Sequence, residues 1–180
     1  MMYYSTNKNA DRATLQEAVV KGLASDRGLF MPDVIKQLPE DFFENMKDLS
    51  FQEIAYVVAD AFFGEDVDAA SLKEIVYDTL NFDVPLIHVH DNIYSLELFH
   101  GPTLAFKDVG ARFMSRLLGY FIKKEGQKEV NVLVATSGDT GSAVANGFLG
   151  VDGIRVYVLY PKGKVSPIQH SWKKYYRFGG

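Results

Sequence analysis

The chain has 180 residues carrying 19 Lys and Arg against 23 Asp and Glu, a formal charge of −4 that lacks the basic footprint of a nucleic-acid binder. A hydrophobic fraction of 47% with 23% charged residues excludes a disordered chain and suffices for one core, or one core plus a small second unit. The absence of cysteine excludes disulfides, thiolate metal sites and a cysteine nucleophile, and fits a cytoplasmic location.

Residues 1–8 contain no apolar run of the signal-peptide kind. The longest apolar runs, at 55–59 and 132–135, fall far short of the roughly 20 residues that span a bilayer, so no membrane partner is expected. Residues 1 to about 85 read as a mostly helical first domain. Within it, Gly22, Gly28 and Pro32 break the segment 22–32 into a loop, whose apolar residues Leu23, Leu29 and Phe30 are expected to pack against something. Ser50 and Glu53 have capping-box spacing, and Phe51, Ile54, Ala55, Val58, Ala59 and Phe62 recur at helical intervals before Gly64. A second amphipathic helix is expected over 69–80, with Leu72, Ile75, Val76 and Leu80 on one face.

From Pro85 the pattern changes. Two alternating segments, 86–90 and 93–98, flank Asp91-Asn92, which suits a two-residue hairpin turn. The loop His100-Gly101-Pro102-Thr103 leads into a helix over 106–124, where Val109, Phe113, Leu117, Tyr120 and Phe121 share a face and Lys123 and Lys124 suit the negative end of the dipole. Then come a buried strand over 130–135, a small-residue loop over 136–142, a helix over 143–149 and a second buried strand over 154–159. A strand, helix, strand unit of this kind implies a right-handed crossover and a parallel sheet, hence an α/β fold.

Two loops carry candidate chemistry. Thr136-Ser137-Gly138-Asp139-Thr140-Gly141-Ser142 lies where a strand's carboxyl end meets a helix N-terminus, whose unpaired N–H groups and dipole favour a carboxylate or phosphate. Gly138 and Gly141 allow close backbone approach, and Ser137, Thr140 and Ser142 add hydroxyl donors; the alternative is simple capping by Asp139 or Ser137. The spacing matches neither the dinucleotide fingerprint nor the phosphate loop. In the second loop Lys107 follows Ala105 and Phe106, so partial desolvation would favour a nucleophilic amine able to form a Schiff base. The alternative is a solvated lysine paired with Asp108 or with nothing. His88 and His90 share a strand face at a spacing that can hold a metal, yet no further ligand completes a set, so no metal is expected. His100 is open between a ligand contact and a loop contact.

Read together, Leu96-Glu97-Leu98-Phe99-His100-Gly101-Pro102-Thr103-Leu104-Ala105-Phe106-Lys107-Asp108 and Ala135-Thr136-Ser137-Gly138-Asp139-Thr140-Gly141-Ser142-Ala143 resemble the threonine synthases. Gly28-Leu29-Phe30-Met31-Pro32 and the stretch from Tyr160 to Gln169 extend the likeness to nearly everything before residue 170. The resemblance implies a fold of the tryptophan-synthase-β type with pyridoxal 5′-phosphate as cofactor: a helical N-terminal domain over 1–85, the first part of the cofactor domain over 86–169, and an atypical tail over 170–180. It implies that Lys107 holds the cofactor covalently and then shuttles protons. Ser137, Gly138, Thr140 and Gly141 would grip the substrate carboxylate, and Asp139 would lie near the cofactor's 3′-oxygen. The implied reaction converts O-phospho-L-homoserine and water to L-threonine and phosphate. A dehydratase of the same fold is a second reading, and a non-catalytic anion-binding module a third.

Family members are much longer, so the resemblance implies an N-terminal part, without the segments that hold the cofactor phosphate and face its ring nitrogen. The tail from His170 departs from the family text. The codons for 175–179, shifted by one base, can encode Thr-Thr-Ala-Leu-Gly, which makes a reading-frame change one explanation and a fragment or a natural short protein another.

Overall fold

The structure is a computed structural model that describes residues 1–126, 129–136 and 138–161. The chain packs as two units, Met1–Leu80 and Asn81–Gly180, a division that falls a few residues before the change of sequence pattern at Pro85.

The first unit holds strands β1 (Met2–Ser5), β2 (Ala13–Thr14) and β3 (Phe30–Pro32) and helices α1 (Leu15–Lys21), α2 (Glu40–Asn45), α3 (Phe51–Phe63) and α4 (Ala69–Thr79). It is therefore not simply helical, since the strands form an antiparallel sheet in the order β2-β1-β3, with Tyr4 opposite Met31 and Met2 opposite Thr14. These strands are too short to display a period of two, and their partners lie outside any sequence window, which is why the pattern hides them. Leu23 and Leu29, expected to pack, are more than half exposed, while Ala24 is buried.

What holds this segment is polar. The Asp26 carboxylate accepts from Ser5 Oγ at 2.6 Å, from the Asn9 N–H at 2.8 Å and from the Gly28 N–H at 3.0 Å. A Cβ on Gly28 would lie 2.0 Å from Ser5 Oγ, so only glycine admits this approach. Helices α1 and α3 start at reciprocal capping boxes, Thr14 with Glu17 and Ser50 with Glu53. Helix α4 starts at Asp68, whose side chain accepts from the Ser71 N–H. Helices α3 and α4 pack together, with Leu72, Ile75 and Val76 buried.

In the second unit β4 (Leu86–His90) and β5 (Ile93–Leu96) pair antiparallel about Asp91, whose φ of 46° suits the tight turn. Next come α5 (Lys107–Glu125), β6 (Val130–Ala135), α6 (Asp139–Gly147) and β7 (Ile154–Leu159). Strands β6 and β7 pair in parallel, Val130 opposite Ile154 through to Ala135 opposite Leu159. Helix α5 ends at Gly126 in the left-handed region, with Lys123 and Lys124 in its last turn.

Helices α5 and α6 come together at small residues. A Cβ on Gly147 would lie 3.0 Å from the Ala111 backbone, and the Gly147 carbonyl accepts from Ser115 Oγ at 2.6 Å and from Arg116 Nη1 at 2.7 Å. Leu117, Leu118, Phe121, Ile122, Ala143 and Phe148 form the core of this unit.

Helix α6 begins at Asp139, earlier than residue 143 where the sequence suggested. The small residues that read as loop are its first turn, with Gly141 buried and the Thr136 hydroxyl accepting the N–H groups of Gly138 at 3.1 Å and Gly141 at 3.2 Å. Among the described residues no helix is long and apolar enough to cross a membrane.

Candidate functional site

Lys107 is the first residue of α5. The residue before it, Phe106, caps the helix without a side-chain hydrogen bond. The Lys107 ammonium stacks over the Phe106 ring, 4.7 Å from its centroid, a cation–π contact at a partly exposed site. An ammonium here lies at the positive end of the helix dipole, which disfavours it. The compensating charge comes from the start of the other helix: Lys107 Nζ is 3.7 Å from Asp139 Oδ2, with the lysine side chain 32% exposed and the aspartate 63%. Two helix N-termini thus converge on one amine and one carboxylate.

Lys107 therefore pairs with Asp139 and not with Asp108. Asp108 is fully buried and turned the other way, accepting from the Thr103 N–H at 2.9 Å and from Thr103 Oγ1 at 2.6 Å. In the loop before it, Glu97 and His100 are joined at 2.7 Å and His100 stacks on Phe99.

Around the start of α6, Thr140 is exposed and Gly138 half-buried, whereas Gly141 is packed against Thr136 and Val158. A Cβ on Gly141 would lie 2.3 Å from Thr136 Cγ2, and its N–H is already bonded to Thr136. Close packing thus explains this glycine without any ligand. The Gly141 N–H in that first turn is accepted by Thr136, a residue the sequence offered no reason to single out. Ser137 lies outside the described residues, as do Lys162 to Gln169 and the tail 170–180.

Both histidines of the β4 pair contact Asp91. His88 Nε2 meets the Asp91 carbonyl at 2.8 Å and His90 Nδ1 the Asp91 carboxylate at 3.1 Å, and among the described residues no group of three or more ligands forms.

Residues 2–80 match the family model described as the threonine synthase N terminus. Along the chain, similarity is to threonine synthase from Haemophilus influenzae, 42% identical over 171 residues, and from Escherichia coli, 38% identical over the same length. Each alignment covers 95% of this chain but 39% of the relative, so the chain spans about two-fifths of the curated relatives' length. Among solved structures, PLP-bound threonine synthase from Brucella melitensis superposes with a TM-score of 0.89 at 35% identity, over 96% of this chain and 38% of that one. The Escherichia coli enzyme gives 0.85 at 37% identity, over 100% and 41%. The mixed α/β fold is thus the one those structures have over this part, and the similarity to threonine synthases runs along nearly the whole chain, with the model of that family's N terminus matching residues 2–80.

Proposed function

We propose that the chain carries the lysine-bearing part of a threonine synthase, a carbon–oxygen lyase that converts O-phospho-L-homoserine and water to L-threonine and phosphate using pyridoxal 5′-phosphate. The carrying observation is the convergence of Lys107 and Asp139, at the starts of two helices, within a chain similar to threonine synthases over 95% of its length.

The amine suits that cofactor. Capture of an aldehyde needs a primary amine that can be reached and released from its partner. At 32% exposure Lys107 can be reached, and 3.7 Å is longer than the roughly 2.7–2.9 Å of a strong charge-assisted hydrogen bond. When bound, the cofactor would supply an electron sink for negative charge at the substrate's Cα and Cβ.

The remaining work falls to the chain's own residues. Lys107 would bind the cofactor through Nζ, and once freed by substrate it would take and return a proton at Cα, since a primary amine accepts a proton as the free base and donates one as the ammonium. An arginine could do neither. Asp139 would hold the free ammonium in place through their ion pair. The first turn of α6, with the exposed Thr140 within it, would receive the substrate carboxylate at the helix's N-terminal end, and Gly138, whose own N–H is held by Thr136, would leave room for its approach. Gly141 would serve by letting Thr136 approach and fix that turn. Ser137 is proposed with this group on its sequence position alone. The Asp139 charge opposes an incoming carboxylate, so binding there depends on the lysine charge and the roughly half-charge of the helix end.

The experiment mixes the chain with pyridoxal phosphate, reduces with borohydride and maps the adduct by peptide mass. Labelling confined to Lys107 and abolished by Lys107→Ala supports the reading, and scattered labelling refutes it for this chain. Phosphate release from O-phosphohomoserine, against turnover of threonine, separates a threonine synthase from a dehydratase.

A further inference from the structure

We propose that Asp108 is a positioning residue that aims Lys107, acting through Thr103; this rests on the reading of Lys107 given above. Helix α5 begins without a side-chain cap, so its first turn needs another anchor. The only fully buried carboxylate among the described residues stands there, immediately after Lys107. Both Asp108 oxygens are taken by one residue upstream, Oδ2 by the Thr103 N–H at 2.9 Å and Oδ1 by Thr103 Oγ1 at 2.6 Å. Its own N–H bonds to the Ala105 carbonyl at 3.0 Å. The contact is tight, because a Cβ on Gly101 would lie 2.6 Å from Asp108 Oδ2 and 2.9 Å from Asp108 Cβ.

The turn so gripped is one the chain would not choose. Leu104 has a φ of +57° and is 76% exposed, so neither its conformation nor burial of its side chain stabilises it. A leucine in the left-handed region persists only where its surroundings dictate it. The surroundings here are the Leu104 N–H to Gly101 carbonyl bond at 3.0 Å and the Asp108–Thr103 pair. With the carboxylate bond removed, the turn relaxes and the first turn of α5 loses its fixed end, so the Lys107 amine is no longer held toward Asp139.

The test uses the full 180-residue chain. Thr103→Val removes the hydroxyl donor at nearly constant volume, Thr103→Ser keeps it, and Asp108→Asn leaves one acceptor for two donors. Two reagents report on Lys107: trace acetic anhydride, read lysine by lysine across pH by mass mapping, and pyridoxal phosphate trapped by borohydride. In Thr103→Val and Asp108→Asn, acetylation of Lys107 is expected to rise about tenfold relative to Lys47 and Lys123 while its trapping by pyridoxal phosphate falls by a similar factor. Thr103→Ser is expected to stay within about twofold of the parent on both counts.

Unchanged Lys107 rates in Thr103→Val and Asp108→Asn overturn the proposal. So does a parallel rise at every lysine with loss of the helical circular dichroism, which assigns Asp108 to folding alone. If pyridoxal phosphate fails to select Lys107 in the parent chain while Thr103→Val still exposes it to the anhydride, the positioning role stands and the cofactor reading falls.

Discussion

Gly141→Ala sets two parts of the site against each other. The new Cβ would lie 2.3 Å from Thr136 Cγ2 and 3.1 Å from Val158 Cγ1, so one group must yield. If the backbone shifts, the cost is that of overpacking, about 1–3 kcal/mol. If Thr136 rotates away, its Oγ1 gives up the N–H groups of Gly138 and Gly141, two hydrogen bonds worth about 1 kcal/mol each. Both routes arrive near 2 kcal/mol, or a fall in Tm on the order of 10 °C for a unit of this size.

Thr136→Ser deletes the clashing methyl and keeps the oxygen, so the double variant should recover most of the loss, with a coupling of about 1–2 kcal/mol. Thermal unfolding of the four chains measures the cycle. A double variant as unstable as the sum of the singles would refute the packing account of Gly141 and return that glycine to a ligand-facing role.

Tyr3 is buried and its hydroxyl donates to the Phe62 carbonyl at 3.3 Å; burial first, then the charges of Asp66 and Glu65, pushes its pKa from 10.0 up to about 12. The fold disfavours the phenolate, so stability of the first unit should be intact below pH 10 and lost as pH rises toward about 12; Tyr3→Phe should blunt that loss in alkaline unfolding scans. Asp26 is held below its ordinary 3.8, first by the Ser5 hydroxyl, so it contributes stability above that pH which is lost as pH falls through its lower folded value. Ser5→Ala should flatten that acid limb, and an unchanged limb would remove Asp26 as its cause. Ser50→Ala removes the oxygen that accepts the Glu53 N–H and should cost about 1 kcal/mol in urea unfolding of the first unit, whereas Ser50→Asp should cost little.

The local elements were readable where the signal is local. The Ser50-to-Glu53 box, the Asp91-Asn92 turn and the apolar stripe of α5 each lie within a few residues of chain, and the capped helix, the hairpin and the 19-residue helix formed where those patterns stand. The β1–β3 sheet was not readable, because its two- to four-residue strands owe their existence to pairing across the loop that Asp26 ties down. Helix α6 was read late for a related reason. Glycine, serine and threonine argue for a loop by propensity, and only the close approach of Thr136 and Val158 makes helix the better state for Gly141.

By itself the sequence determined the periodicities, the caps and the two loops that hold the candidate chemistry, since each depends on residue types at short spacing. Tertiary structure alone decided which groups meet. The sequence left Asp108 as the near neighbour for Lys107, yet the helix turns that carboxylate inward to Thr103, and folding of α5 against α6 brings up Asp139 instead. Consecutive residues on a helix point in different directions, so adjacency in the chain carries little information about partnership, and the charge that faces Lys107 is fixed by packing between helices.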